Sequence, residues 1–203
     1  MTRFARTLMA LSLCLLPLAT LAQANSGYRT LNSEPPTSEG PVEVLEFFWY
    51  GCGACYQFLP LIDGWKRDAG EEVDFKRVPA VLDRRWRVHG QAFYTAEALG
   101  VTDEMHLKIF DAIHQRRQAL DSQASIRALF VANGVDGDAF DGAWNSFSVD
   151  RKLNEAEQLA RQYQVRATPS MVIGGHYVSD PGTAGSGRAL IELTDMLVTQ
   201  LSD

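Results

Sequence analysis

The sequence predicts an α/β protein in which a helical segment interrupts a strand-containing domain. Residues 42–50 are rich in β-branched and aromatic side chains, as expected for a strand buried on both faces, and residues 73–81 are a second strand candidate. Between the second of these strands and a glycine-centred hairpin, residues 84–163 show helical apolar spacing throughout. Such a run is too long for a simple crossover connection. It therefore indicates an all-helical subdomain inserted into the sheet domain.

The N-terminal residues have the pattern of an export signal. The stretch MTRFAR carries arginine but no acid, an apolar run follows, and AQA at 22–24 supplies small residues for signal peptidase. We expect residues 1–24 to be a signal peptide that is cleaved after Ala24. One alternative is an uncleaved anchor, but Pro17 interrupts the apolar run. Another is a lipoprotein signal at Cys14, but a bulky leucine precedes that cysteine.

Residues 25–83 form the predicted first part of the sheet domain. Residues 25–41 are rich in Ser, Pro, Glu and Gly, which predicts an extended leader over the surface. The strand at 42–50 is followed by a glycine and by a helix that begins at Cys52. Because proline lacks an N–H group, we expect Pro60 to kink or end this helix.

Residues 84–163 form the predicted helical subdomain, and residues 164–203 complete the sheet domain. Within the subdomain we expect helices at 86–99, 102–118, 122–132, 138–147 and 149–163. In the last part, SMVI and HYV flank a Gly-Gly pair, which is typical of a β-hairpin turn. A final helix, at about 188–201, closes the chain.

The composition excludes one class of partner. The chain has 203 residues, of which 46% are hydrophobic and 22% charged, and its formal net charge at pH 7 is −6. This is an ordinary globular composition. Binding to a phosphate backbone depends on clustered Lys and Arg, and the sequence contains no such block. We therefore expect no nucleic-acid partner.

Cys52 and Cys55 are the residues most directly tied to chemistry, because cleavage of the leader would remove Cys14. A structural disulfide across so short a gap would remove little entropy from the unfolded chain. A zinc site needs about four ligands, yet the histidines show no short-spaced pair. A copper site that uses the cysteine pair alone remains an alternative.

The same pair suits dithiol–disulfide exchange. The first sulfur of a CxxC motif at a helix start lies among unpaired N–H groups, and these groups and the helix dipole favour a thiolate. Cys52 is therefore the predicted nucleophile. Cys55 lies one turn further along, where it can attack a mixed disulfide at Cys52 and release the partner.

Three segments resemble the DsbA-type thiol:disulfide oxidoreductases of the periplasm: VLEFFWYGCGACYQF at 44–58, AWNSFSV at 143–149 and VRATPSMVIGGHYV at 165–178. The resemblance implies a thioredoxin fold with an inserted all-helical subdomain and a periplasmic location. It also implies a redox-active Cys52–Cys55 disulfide without a dissociable cofactor or a metal. Such proteins donate disulfides to reduced, newly exported proteins, and a DsbB-type quinone-linked membrane partner reoxidises them. We expect a monomer.

The resemblance also assigns roles to residues outside the pair. In the family, the proline corresponding to Pro169 is cis and lies against the CxxC motif, where the backbone next to Thr168 pairs with substrate. An ordinary trans proline is the alternative. Glu46 resembles the buried acid that moves protons to and from the inner cysteine, although it could also be a strand-end acid that reaches solvent. Lys76 is its expected charge partner, with plain surface exposure as the alternative.

The residues between the cysteines depart from the family pattern. DsbA-type proteins often have Pro-His there, whereas this chain has Gly53-Ala54. Since histidine stabilises the neighbouring thiolate and alanine cannot, we expect a less oxidising disulfide. One rival is a reductase or isomerase-like relative, for example in cytochrome maturation. The other is a non-catalytic metal-binding or chaperone-like carrier that uses an apolar surface at Trp49 and Tyr50.

Overall fold

The computed structural model describes residues 26–31 and 40–202. The predicted signal peptide and its cleavage site lie outside these residues. The described strands are β1 (Arg29–Thr30), β2 (Val42–Phe48), β3 (Val73–Pro79), β4 (Ser170–Ile173) and β5 (Tyr177–Ser179). Within the described residues they form a single sheet in the order β1-β5-β4-β2-β3.

The central strand, β2, carries the residues just before the cysteine pair. It runs parallel to β3 and antiparallel to β4. Its side chains alternate between two cores, because successive residues of a strand point to opposite faces. Val42 and Val44 join one apolar cluster, while Leu45 and Phe47 join the other. A strand buried on both faces was predicted from its composition, and the structure confirms it.

Helix α1 (Gly53–Ala69) follows β2 and covers one face of the sheet. It does not end at Pro60, which lies inside it. Proline within a helix costs about 3 kcal/mol. The helix continues because one of its faces is deeply buried, and full burial of a large apolar side chain contributes about 1.5–3 kcal/mol. The buried side chains are those of Cys55, Phe58, Leu59, Ile62 and Trp65.

The other face of the sheet meets a set of helices. They are α2 (Arg84–Ala98), α3 (Thr102–His114), α4 (Gln123–Ala132), α5 (Gly137–Trp144) and α6 (Phe147–Gln162). Helix α3 is shorter than the predicted 102–118, because Arg117 adopts φ 56° and Leu120 φ 41°. Left-handed backbone of this kind ends a right-handed helix. The larger apolar cluster joins these helices to β2 and β3.

The C-terminal part completes the second face. The hairpin between β4 and β5 pairs Ile173 with Tyr177, so residues 174–176 form its loop, in which Gly174 and Gly175 adopt φ 56° and 62°, left-handed values that favour glycine. A short helix α7 (Pro181–Ala184) leads into α8 (Gly187–Ser202), which packs beside α1. The mixed α/β fold with a helical insert is therefore confirmed.

The N-terminal leader, predicted as an extended chain over the surface, also forms a strand of the sheet. Arg29 and Thr30 pair with Val178 and Tyr177 and so add β1 to the edge of the sheet. The composition gave no indication of this strand, since backbone pairing with a distant edge leaves no local pattern.

No helix within 26–31 or 40–202 is both long enough and apolar enough to span a bilayer.

Candidate active site

Cys52 caps the N-terminus of α1. Its backbone is extended, with φ −88° and ψ 114°, and its Sγ accepts a hydrogen bond from the N–H of Cys55 at 3.3 Å. Its own N–H donates to the carbonyl of Trp49 at 2.9 Å, which ties the cap to the end of β2. The sulfur thus takes the position that a capping oxygen takes in other helices, where it accepts from an otherwise unpaired N–H group.

The loop before β4 forms the opposite wall of the site. The Cys52 thiol donates to the carbonyl oxygen of Thr168 at 3.2 Å. The Thr168–Pro169 peptide bond is cis, as predicted. Ser170 Oγ donates back to the carbonyl of Ala167 at 2.8 Å, which closes a turn around the proline. The structure therefore brings Thr168 and Pro169 against the first cysteine.

The two thiols differ strongly in acidity. The pKa of Cys52 is lowered to about 5, and the largest cause is a hydrogen bond from the Cys55 thiol. Desolvation opposes this shift. Hydrogen bonds from the Thr168 side chain and from the backbone of Cys55 and Ala54 add to the lowering. Burial raises the pKa of Cys55, whose side chain is 1% exposed. Cys52 is therefore the thiolate at neutral pH and Cys55 the protonated thiol, the asymmetry expected of an attacking and a resolving cysteine.

Glu46 is buried in the middle of β2 and forms an ion pair. Only 2% of it is exposed. Arg77 Nε donates to its Oε2 at 2.9 Å, and Nη2 of the same guanidinium binds Asp63 of α1. Burial raises the pKa of Glu46, and Arg77 acts in the opposite direction. The alternative of a strand-end acid that reaches solvent does not hold.

The prediction that Lys76 is the charge partner of Glu46 is wrong. Lys76 is half exposed and pairs instead with Glu43 and Asp74, at 2.9 and 2.6 Å. The reason is the register of the parallel pair, in which Lys76 lies opposite Leu45 and Arg77 opposite Glu46. Residues opposite each other project to the same face. Alternation along β3 places Arg77 and Lys76 on opposite faces, and the register decides which of them faces Glu46.

The residues between the cysteines lie at the open end of α1. A Cβ built on Gly53 meets nothing within 4 Å, so the space there would accept a side chain. Ala54 lines a cavity of about 290 Å³ together with Phe58, Leu61 and Arg188. Gly51, just before the pair, has no room for a side chain, because a Cβ there would lie 2.3 Å from the Trp49 ring.

Trp49 and Tyr50, the two residues expected to line an apolar surface, have different environments. Tyr50 is fully buried, and its hydroxyl lies 2.9 Å from Nδ1 of His106. Trp49 is partly exposed and stacks on Trp86 of α2, with ring centroids 4.4 Å apart and planes 3° from parallel. This stack joins the end of β2 to the helical subdomain beside the cysteines.

A second connection to the helical subdomain begins at Tyr56 of α1. Its hydroxyl donates to Oδ1 of Asp111 at 2.7 Å, and its ring stacks on His114 at 5.0 Å. The His114 Nε2 lies 2.8 Å from the carbonyl of Tyr50, to which it donates. Sequence reasoning missed these residues, since the partners lie 55 to 64 positions apart and follow no shared motif.

No group of three or more His, Cys, Asp or Glu side chains in the described part of the chain is placed to hold a metal ion.

Comparisons with known proteins all point to the same family. A family described as DSBA-like thioredoxin domain matches residues 68–188. The thiol:disulfide interchange protein DsbA of Azotobacter vinelandii is 41% identical, over 82% of this chain and 78% of its own. The protein of the same name from Burkholderia cepacia is 36% identical, over 91% of this chain and 92% of its own.

A solved structure shows the same fold. The crystal structure of DsbA from Pseudomonas aeruginosa superimposes with a TM-score of 0.80 and 37% sequence identity, and the match covers 86% of this chain and 91% of that one. Both the sequence and the fold therefore match along most of the chain, and the chain belongs to the DsbA family of thiol:disulfide interchange proteins, which makes it a disulfide oxidoreductase.

Proposed function

We propose that this oxidoreductase donates disulfide bonds to reduced or unfolded proteins that have just been exported. The observation that carries the proposal is the unequal acidity of the two thiols, with the pKa of Cys52 lowered to about 5 and that of Cys55 raised. A stable Cys52 thiolate stabilises the reduced pair and is a good leaving group, so the disulfide is driven to oxidise other thiols.

The exchange proceeds in two displacements. A substrate thiolate attacks Sγ of Cys52 in the oxidised protein; the Cys52–Cys55 bond breaks, a mixed disulfide forms, and the sulfur of Cys55 takes up a proton. A second substrate thiolate then attacks the substrate sulfur and expels Cys52 as a thiolate. The substrate loses two electrons to the pair, and the structure, with both cysteines free and the Cys52 sulfur 3.2 Å from the Thr168 carbonyl, represents the reduced product.

The surrounding residues would assist these steps. Thr168 and Pro169 would dock an extended substrate segment beside Cys52, which their contact with its sulfur supports. Glu46, held by Arg77, would exchange protons with the buried part of the site. Gly53 and Ala54 would make the disulfide less oxidising than in relatives with Pro-His, since neither side chain can stabilise the thiolate.

We also propose a location, a reoxidising partner and an oligomeric state for this protein. Its N-terminal pattern supports export to the periplasm with cleavage after Ala24. We propose that a DsbB-type quinone-linked membrane protein reoxidises the pair, because each donation leaves it reduced. We further propose that the protein acts as a monomer, with residues 25–83 and 164–203 as the sheet domain and 84–163 as the inserted subdomain.

Stoichiometric oxidation of a reduced peptide tests the proposal. Each molecule of the oxidised protein should introduce one disulfide into the peptide, whereas the folded Cys52→Ser variant should introduce none. The redox equilibrium with glutathione should favour the reduced protein. An equilibrium that favours the oxidised protein, together with reduction of insulin, would instead identify a reductase. Stoichiometric bound metal without exchange activity would identify a carrier.

A further inference from the structure

The N-terminal segment at 26–31 packs against the sheet beside the loop that faces the redox pair. Strand β1 pairs with β5, the N–H of Leu31 donates to the carbonyl of His176 at 2.8 Å, and Ser179 Oγ donates to the carbonyl of Gly27. The ring of Tyr28 meets that of Tyr177 edge-on at 5.0 Å. This segment precedes the part of the chain that the family match covers, residues 68–188.

One side chain of this segment reaches the end of α6. The guanidinium Nη2 of Arg29 donates to the carbonyl oxygens of Tyr163 and Gln164, the latter at 3.0 Å. The last carbonyls of a helix lack partners within the helix and carry the negative end of its dipole, so a cation that donates to them stabilises them. Gln164 adopts φ 52°, a left-handed conformation that a non-glycine residue holds only when neighbouring contacts fix it.

The anchored residues lead directly into the active-site loop. The chain runs from Gln164 to Thr168, whose carbonyl lies 3.2 Å from the Cys52 sulfur. The far end of this short connection is held by β4, which begins at Ser170. The other end is held in two ways: the N–H of Val165 donates to the carbonyl of Ala160 at 2.8 Å, and Arg29 binds the carbonyls at 163 and 164 from outside the helix.

We propose that Arg29 is a positioning residue of the redox site, which fixes the start of the loop 165–169 and thereby holds Thr168 against Cys52. The N-terminal segment would then be part of the catalytic architecture, although it contributes no reacting atom. This inference rests on the proposed role of Thr168 as a wall of the site.

The Arg29→Ala variant tests the proposal through the acidity of Cys52. A displaced Thr168 would withdraw its side-chain hydrogen bond, which helps to lower the pKa of Cys52, and loss of one hydrogen bond to a charged group corresponds to about a tenfold change. We expect the pKa of Cys52, followed by thiolate absorbance, to rise by about one. The Cys52–Cys55 disulfide should become less oxidising in its equilibrium with glutathione. The Arg29→Lys variant, whose ammonium can donate to both carbonyls, should restore most of the effect.

Two controls separate positioning from other causes. Arg151→Ala removes an exposed arginine of α6 that pairs with Glu155, so it changes the net charge equally and should leave Cys52 unaffected. At about 1 M salt, where the screening length is about 3 Å, a through-space effect of the Arg29 charge would vanish while a positional effect would persist.

The outcomes are distinct. A lower unfolding temperature in Arg29→Ala with an unchanged Cys52 pKa would show that Arg29 only caps a helix, and would overturn the proposal. So would a pKa change that disappears at high salt. The titration needs no substrate, so a wild-type protein that fails to donate disulfides would refute the proposed function and leave this test intact.

Discussion

Arg77 lies directly opposite Glu46 in the parallel register of β3 and β2, and its Nε donates to the buried carboxylate across 2.9 Å. The guanidinium also binds Asp63, which is 41% exposed, so it links an acid inside the sheet to one at the surface. A buried pair of this kind adds little net stability over an apolar pair, but removal of one partner leaves an uncompensated charge.

The Arg77→Met variant should be destabilised by about 3 kcal/mol at pH 7, because Glu46 would stay buried without a partner. Burial already raises the pKa of Glu46, and loss of Arg77 raises it further. A group with a raised folded pKa adds stability that is complete below its unfolded pKa, about 4.3, and is lost as the pH rises through the folded pKa. The penalty relative to wild type should therefore be small near pH 4 and grow toward pH 7.

Urea unfolding at the two pH values measures this penalty. The matched control is the double variant Glu46→Gln with Arg77→Met, in which no charge is stranded, so its free energy of unfolding should lack the fall toward pH 7 that Arg77→Met shows. A penalty of equal size at both pH values in Arg77→Met would show that lost packing, and not the buried charge, is the cause.

The reduced protein should lose stability relative to the oxidised protein as the pH falls. The folded pKa of Cys52 is lowered from 9.0 to about 5. A depressed pKa adds stability that is present above the unfolded value and is lost as the pH falls through the folded value. The oxidised form has no thiolate and lacks this dependence. Unfolding temperatures of both forms between these two pH values provide the measurement.

The Cys52→Ser variant is the control for this pH dependence. It removes the thiolate but keeps the hydrogen-bonding group at the helix cap, and Cys55 stays protonated because burial raises its pKa. This variant forms no disulfide, so its unfolding temperature should follow the pH as that of the oxidised wild type does, without the loss that the reduced wild type shows as the pH falls. If that loss persisted, another group would be its source.

Replacement of Gly53 and Ala54 by Pro-His should make the disulfide more oxidising. Gly53 is the first residue of α1, where proline fits without loss of a helical hydrogen bond, and a Cβ there meets no neighbour. The histidine would support the adjacent thiolate. We expect the equilibrium constant with glutathione to shift by about tenfold or more, as one unit in the Cys52 pKa implies.

Gly51→Ala is the matched comparison, since it alters a glycine next to the same motif. Its Cβ would lie 2.3 Å from the Trp49 ring, so the ring must move and lose its stack on Trp86. Overpacking of this kind costs about 1–3 kcal/mol. Thermal unfolding should show the loss in Gly51→Ala and not in Gly53→Pro. Equal losses would contradict the open position of Gly53.

Tyr50→Phe should be destabilised by about 1–3 kcal/mol, the cost of a buried polar group without its partner. The Tyr50 hydroxyl lies 2.9 Å from Nδ1 of His106, and both residues are buried. Chemical unfolding measures the loss. Tyr56→Phe is the control, because its hydroxyl bonds to Asp111 near solvent, where water can replace the lost contact. Equal effects would show that burial does not set the cost.

The sequence predicted most of the strands and helices because their apolar spacing is local information. The role of the cysteine pair followed from its spacing at a helix start, whereas the cis proline and the buried position of Glu46 were expected only from the resemblance to the DsbA type. Arg77 was missed because its role depends on the register between two strands, and a shift of one residue exchanges it with Lys76. The sequence left open whether Pro60 kinks α1 or ends it, because burial of a helix face, which outweighs the local penalty, is a tertiary effect.

The contact between Cys52 and Thr168 joins residues 116 positions apart. During synthesis the cysteines therefore emerge long before Thr168. Strand β2 can pair only with β3 until β4 has been made. Because distant pairings are the slow part of folding, the nascent chain carries two thiols on an incomplete sheet. The CxxC motif is therefore complete early in synthesis. The active site is complete only when the last quarter of the chain has folded against it.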